Sequence, residues 1–340
     1  MMRNHSLKAL AVSLLLPGLL ASLPLVAGHA SPARAAAGRA LRPLTVWLDW
    51  YPNSDHAGIY VALAKGYYAQ AGLDVHAQVP AGATDALSLV ADGSGDVAIS
   101  YEPDVLLARQ KGLPVVATAA LVQRPLSCIM TLHSSGIARP SQLQGRLVGI
   151  SGTPGDYANI KALVGHDGGN PASVRTVVVD YGLLQALLSR RVDAVEGVYW
   201  TWEALQAEQQ GYAVNVMRVD AYGVPGYDEL VLVTGQGQLK NEPGVLRAFQ
   251  RATLRGYAYA AAHPTEAARD VLTAPGVLSH SSRLIEQSIS LLGPLFQDAQ
   301  GRYGTLSISA WQAYADWMTR THIIPSHFDA GAALTTSLLP

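Results

Sequence analysis

The sequence predicts a two-lobed α/β fold, and three observations carry that expectation. Short β runs alternate with helical stretches from Leu44 onward, the alternation restarts at Arg146, and two apolar stretches stand where the chain would cross between halves. Such alternation argues for mostly parallel sheets covered by helices. A length of 340 residues also exceeds one ordinary core.

The elements follow in order. Residues 1–36 read as an export signal: Arg3 and Lys8 precede an apolar run from Ala9 to Ala27, and small residues around Ala30 and Ala37 offer cleavage sites. A membrane anchor is the other reading, but the run is short for a bilayer span and holds Pro17 and Pro24. A soluble protein outside the cytoplasm is therefore expected. Strands are predicted at Leu44–Asp49, Asp74–Val79, Asp96–Ser100 and Val115–Val122, with helices over His56–Gln70, Thr84–Ala91 and Asp104–Lys111. The second set comprises strands at Arg146–Ile150, Thr176–Asp180 and Asp193–Val195, and helices over Asp156–Val164, Leu183–Ser189 and Trp200–Gln210. Leu126–Leu132 and Glu229–Thr234 are taken as the two hinge crossings. Helices over Pro243–Ala262, Arg283–Leu292 and Ser309–Thr321 should then pack back on the first lobe. Lobe one is expected over 43–127 and 233–340, and lobe two over 128–232.

Composition excludes several classes. With 24 Lys+Arg against 25 Asp+Glu, the net charge of -1 gives no electrostatic reason to meet nucleic acid. A single cysteine rules out an internal disulfide framework and any cysteine-rich metal site, and Cys128 should be buried. Hydrophobic residues at 49% and a mean hydropathy of +0.16 exclude disorder. The 15 Tyr and 6 Trp against 3 Phe favour contact with a flat polar ligand.

Ligands of open α/β sheets collect at the carboxyl ends of strands. Every predicted strand end here carries an aromatic, a carboxylate or both. The clusters are Asp49 to His56, Tyr101 to Asp104, Ser151 to Tyr157, Asp180-Tyr181, Glu196 to Glu203, and Tyr222 to Asp228. Candidate ligand contacts are therefore Trp50, Asn53, His56, Tyr101, Glu102, Gly152, Thr153, Tyr157, Tyr199, Glu203 and Tyr227. Plainer roles stand beside them. Trp50 could cover a rim, Asn53 or Asp55 could cap a helix, and His56 could be a neutral packed imidazole. The Gly152–Gly155 segment is either a tight turn or a helix start whose N–H groups grip a polar ligand atom. Tyr199 and Glu203 would share a helix face, or Glu203 would lie on a solvated one.

Catalytic templates are missing: no Gly-x-Ser-x-Gly elbow, phosphate loop or His-Glu-x-x-His pair occurs. No enzyme activity, cofactor or metal is expected.

The motif Leu48-Asp-Trp-Tyr-Pro-Asn53, followed by His56-Ala-Gly-Ile-Tyr-Val-Ala62, Lys65-Gly-Tyr-Tyr68 and Gly72-Leu-Asp-Val75, resembles the periplasmic solute-binding proteins of ABC importers for thiamine's pyrimidine precursors. The fungal hydroxymethylpyrimidine phosphate synthase shares that family. The likeness continues through Ser100-Tyr-Glu-Pro-Asp-Val-Leu-Leu-Ala108, Gly152-Thr-Pro-Gly155, Tyr199-Trp200 and Tyr227-Asp-Glu-Leu-Val231. The resemblance implies a type II-like periplasmic binding protein fold, closing on a heterocyclic ligand and delivering it as a monomer to a membrane permease. It implies stacking by Trp50 and Tyr199, acceptance of the exocyclic amine by Glu203, and an Asn53 bond to a ring nitrogen. Tyr101, Glu102 and Tyr227 would line the cleft. A hydroxymethyl, aminomethyl or formylamino pyrimidine is the expected ligand. The alternatives are a flavin or another vitamin precursor, or a sulfonate- or nitrate-type solute. The anions would call for Arg or Lys, which the strand-end clusters lack. A synthase-like activity is disfavoured, because the turn at Ser100–Asp104 lacks the synthase's histidine.

Overall fold

The computed structural model describes residues 40–277 and 282–339, so the export signal expected over 1–36 lies outside the described residues. The chain opens with β1 (Arg42–Trp47), α1 (Ala57–Ala64), α2 (Tyr67–Gln70), β2 (Leu73–Gln78), α3 (Ala86–Ala91), β3 (Val97–Ser100), α4 (Glu102–Gln110) and β4 (Val115–Val122). It continues with β5 (Ser127–Leu132), β6 (Leu147–Ile150), α5 (Pro154–His166), β7 (Arg175–Val178), α6 (Leu183–Leu188), β8 (Ala194–Tyr199), α7 (Glu203–Gln209) and β9 (Val214–Arg218). β10 (Leu230–Gly235), α8 (Gln236–Asn241), α9 (Pro243–Ala262), α10 (Pro264–Leu272), α11 (Ser282–Leu292) and α12 (Ile308–Arg320) follow.

The strands form two sheets, in the orders β2-β1-β3-β10-β4 and β7-β6-β8-β5-β9. Two lobes result, and the sheets are mixed rather than mostly parallel. β10 runs antiparallel to β3 and β4, and β5 antiparallel to β8 and β9. The two apolar stretches read as crossings are β5 and β10 themselves. All six residues of each are buried, because a neighbour pairs on either side and both faces are covered. The chain crosses just before each of them, over 123–126 and 219–229.

Helices α9 and α11 cover the first sheet, where Phe249, Tyr257, Ile285 and Ile289 share a core with Leu44, Val46 and Ile59. α9 crosses α1 at glycines. A methyl group on Gly256 would sit 1.9 Å from the Gly58 carbonyl oxygen, so only hydrogen lets the backbones approach. Trp311, Tyr314 and Met318 of α12 join Val105, Val115 and Val231. Among the described residues no helix is long and apolar enough to cross a membrane.

Candidate functional site

The carboxyl ends of both sheets meet at a chamber of about 410 Å³, part of it open to solvent. The first lobe supplies Trp50 after β1, and Tyr101, Pro103 and Asp104 around the start of α4. The second supplies Ser151, Thr153, Gly155, Asp156 and Asn159 after β6, and Gly197 and Tyr199 from β8. Ser127 enters from the start of β5, and Tyr227 and Glu229 from the second crossing. Among the described residues no Lys, Arg or His lines it.

A relay of buried groups holds the first lobe's share. The His56 ring is fully buried, with Nε2 2.8 Å from Asp49 Oδ1. Its Nδ1 accepts from the Asn53 N–H at 3.4 Å, which leaves Nε2 to donate to Asp49. Asp49 Oδ2 in turn accepts from the Tyr101 hydroxyl at 3.0 Å. Asn53 Oδ1 caps the turn by accepting from the Asp55 N–H at 2.8 Å. His56 thus reaches the chamber only through Asp49 and Tyr101.

The second lobe contributes the start of α5, where the structure corrects an expectation. Its N–H groups do not wait for a ligand. Asp156 Oδ2 accepts from the Ser151 hydroxyl at 2.7 Å and from the N–H groups of Gly152 and Thr153 at 2.7 and 3.0 Å. Asp104 Oδ1, from the other lobe, accepts from the Gly155 N–H at 2.9 Å. A carboxylate from α4 thereby caps α5 across the cleft, where the helix dipole favours negative charge. Gly152 and Gly197 both hold positive φ, 102° and 86°. A side chain on Gly197 would meet Asp156 Oδ1 at 3.0 Å, so glycine keeps this wall open.

Tyr199, at the end of β8, is buried, with its hydroxyl close to the Glu229 carboxyl. Its N–H donates to Glu203 Oε2 at 2.8 Å. Tyr181 packs its ring edge-on against Trp50, with centroids 4.7 Å apart, and lies as close to Tyr51. The Tyr181 hydroxyl donates to the Pro80 carbonyl at 3.2 Å, and Asp180, at φ 52°, accepts from the Ala83 N–H at 3.1 Å. These contacts shut the second lobe onto the first.

Burial without facing cations raises the carboxyl groups. Asp104 is pushed up to about 7 by desolvation and the nearby Asp156. Glu203 and Glu229 reach about 7 for the same first reason, against the pull of the N–H groups they accept from. Glu196, fully buried, is held well above the usual carboxylate range by desolvation and by Asp156.

The structure brings Trp50, Tyr101, Thr153, Tyr199 and Tyr227 together around the chamber. Asn53 and Glu203 line an adjoining hollow on the other side of Trp50, with Tyr181 and Trp202. Gly152 lines a further cavity reached past Thr153. Two candidates are placed elsewhere. Glu102 is buried with Oε2 accepting from the Asp228 N–H at 2.8 Å, facing a hollow near Asp298. Tyr157 is 48% exposed on the outer face of α5, beside Lys161 and Asn170. Asp156 and Asn159 point inward, and one residue's step around the helix turns Tyr157 away.

Residues the sequence did not single out include Asp104, Asp156, Asn159 and Glu229. The first two lay in the strand-end clusters. Asn159 lies inside α5 and Glu229 just before β10, with no local motif to mark either one.

The family model described as NMT1/THI5-like matches residues 53–267. The chain belongs to this family. It is similar to the formylaminopyrimidine-binding protein of Halalkalibacterium halodurans, at 36% identity over 84% of this chain and 87% of that protein. It is 24% identical to a 4-amino-5-hydroxymethyl-2-methylpyrimidine phosphate synthase of Saccharomyces cerevisiae, over 81% of this chain and 80% of the enzyme. In fold it resembles the alkanesulfonate-binding protein SsuA of Xanthomonas axonopodis, with a TM-score of 0.69 at 13% identity, covering 88% of this chain and 99% of the other. That likeness makes the fold of this NMT1/THI5-like chain that of a periplasmic binding protein.

Proposed function

We propose that this NMT1/THI5-like protein is the solute-binding component of an ABC importer. It captures a thiamine-related aminopyrimidine in the periplasm and presents it to a membrane permease, without transforming it. The observation that carries this reading is the chamber itself: Trp50 and Tyr199 offer aromatic faces, Asp104, Asp156 and Glu229 are carboxyl groups, and among the described residues no cationic side chain lines it. An exocyclic amine donates and a flat ring stacks, so an aminopyrimidine matches both features. A sulfonate or nitrate would leave these carboxyl groups facing an anion.

Glu203 acts through Tyr199 in this scheme, holding the ring's backbone rather than taking the amine with Oε2. The relationship to a formylaminopyrimidine-binding protein supports the ligand class. The test is titration calorimetry of the exported protein with 4-amino-5-hydroxymethyl-2-methylpyrimidine and its formylamino counterpart, with mass spectrometry of small molecules released on denaturation. Binding of either pyrimidine supports the reading. Binding of neither, with a sulfonate binding instead, overturns it.

A further inference from the structure

We propose that the site continues beyond the aromatic chamber into an apolar annex, so that it accepts an aminopyrimidine extended by a second, positively charged ring. This rests on the reading of the chamber given above and specifies the class of ligand further.

The annex is a pocket of about 1270 Å³, part of it open to solvent, between α3 and α4 of the first lobe and Gly152–Pro154 of the second. Tyr101, Asp104 and Thr153 line both spaces and form the neck between them. Beyond the neck the walls include Ala86, Leu87, Ile99, Ala108 and Leu113, which suit a ring or alkyl group. A bare pyrimidine in the chamber would leave this surface unused.

The neck selects for positive charge. The Asp104 carboxyl is buried there, held by two neutral groups, the Gly155 N–H and the Thr153 hydroxyl. Asp49 also lines the annex, with its oxygens on His56 and Tyr101. Two carboxyl groups beside a phenol face, with no basic side chain at the neck, are the surroundings that stabilise an aromatic cation. Lys111 lines the annex too, but it is an exposed side chain at the end of α4. Burial of Asp104 drives its carboxyl up to about 7, and a cation beside it would favour the ionised form.

Thiamine, an aminopyrimidine joined to a thiazolium, is the probe, and 4-amino-5-hydroxymethyl-2-methylpyrimidine is its control. Both are titrated calorimetrically into the wild type, Ser88→Trp and Ala108→Phe. The two substitutions fill the annex from different helices, and Ser88 is exposed enough for a large side chain to be tolerated. We expect thiamine to lose at least about tenfold in affinity in both variants while the bare pyrimidine changes by less than about twofold. Asp104→Asn should weaken thiamine more than the bare pyrimidine. If the bare pyrimidine binds and thiamine does not, the annex proposal fails and the chamber reading stands. Equal losses for both ligands, or none for thiamine, overturn it as well. Failure of both probes on the wild type would instead sink the reading of the chamber.

Discussion

Glu229, at the end of the second crossing, accepts a hydrogen bond from the Ser127 N–H at the end of the first, at 3.1 Å. The same oxygen takes the Leu126 N–H and, at 3.0 Å, the Tyr227 hydroxyl. One side chain therefore ties both crossings together and still faces the chamber. Glu229→Ala would leave these buried donors unpaired, at a cost of about 1–3 kcal/mol each where water cannot replace the acceptor. Urea denaturation should show a clear loss of stability, with Glu229→Gln milder because one acceptor oxygen remains. An unchanged midpoint in the alanine variant would refute the tie.

Stacking is testable at both faces. Trp50→Ala and Tyr199→Ala should each weaken pyrimidine binding by roughly 1–3 kcal/mol, by analogy with bases stacked on aromatic side chains. Calorimetric affinities within error of wild type in both variants would remove the sandwich.

The Glu203 tie makes a separate forecast. Glu203→Gln keeps an acceptor for the Tyr199 N–H and should retain most of the affinity, whereas Glu203→Ala should lose it. If the glutamine variant falls as far as alanine, the carboxylate meets the ligand itself, as the family resemblance implies.

Tyr181 should govern release more than capture. Its ring on Trp50 and its hydroxyl on Pro80 join the lobes in the shut form. Tyr181→Ala should speed dissociation several-fold in stopped-flow displacement and alter association less, since changes at one site mostly appear in the off-rate. Equal change in both rates would argue against a closing role.

Stability should fall as pH rises through neutrality. Asp104, Glu203 and Glu229 each sit at about 7 in the folded chain, above their unfolded values. The folded state then binds more protons than the unfolded one, so the contribution is full below pH ~4 and lost as pH climbs towards 7 and beyond. Asp298, held down to about 2 by Arg302 and nearby N–H groups, acts only at lower pH. Calorimetric melting of the unliganded protein should therefore show a midpoint several degrees lower at pH 8 than at pH 5. A midpoint that rises over this range would contradict the burial argument.

The architecture was largely legible because its signals are local. β4 spans Val115–Val122 and α9 spans Pro243–Ala262, as the periodicity indicates. The predicted helix over 56–70 is broken at Gly66, whose φ of 68° ends α1 before α2 begins. β9, α8 and α10 went unread. β9 is half exposed beside β5 and lacks a clean apolar alternation. The site was half legible. Aromatics at strand ends stand out in a sequence, and Trp50 and Tyr199 both line the chamber. Asp104 reaches across the cleft to Gly155, 51 residues away, and Glu229 joins the crossings through Leu126 and Ser127, 103 and 102 residues away, whereas Asp156 accepts from Ser151, Gly152 and Thr153 of its own lobe, 3 to 5 residues back. Only Asp156 works within a span that a capping motif could reveal.

The excursion that builds the second sheet departs at Leu126 and comes home at Glu229, and those two residues touch. Its two ends are thus neighbours, as in a module inserted into a host. A turn of a few residues would suffice to close residues 127–228 into a free-standing piece, and the host strands β4 and β10 already lie side by side to be spliced in its place.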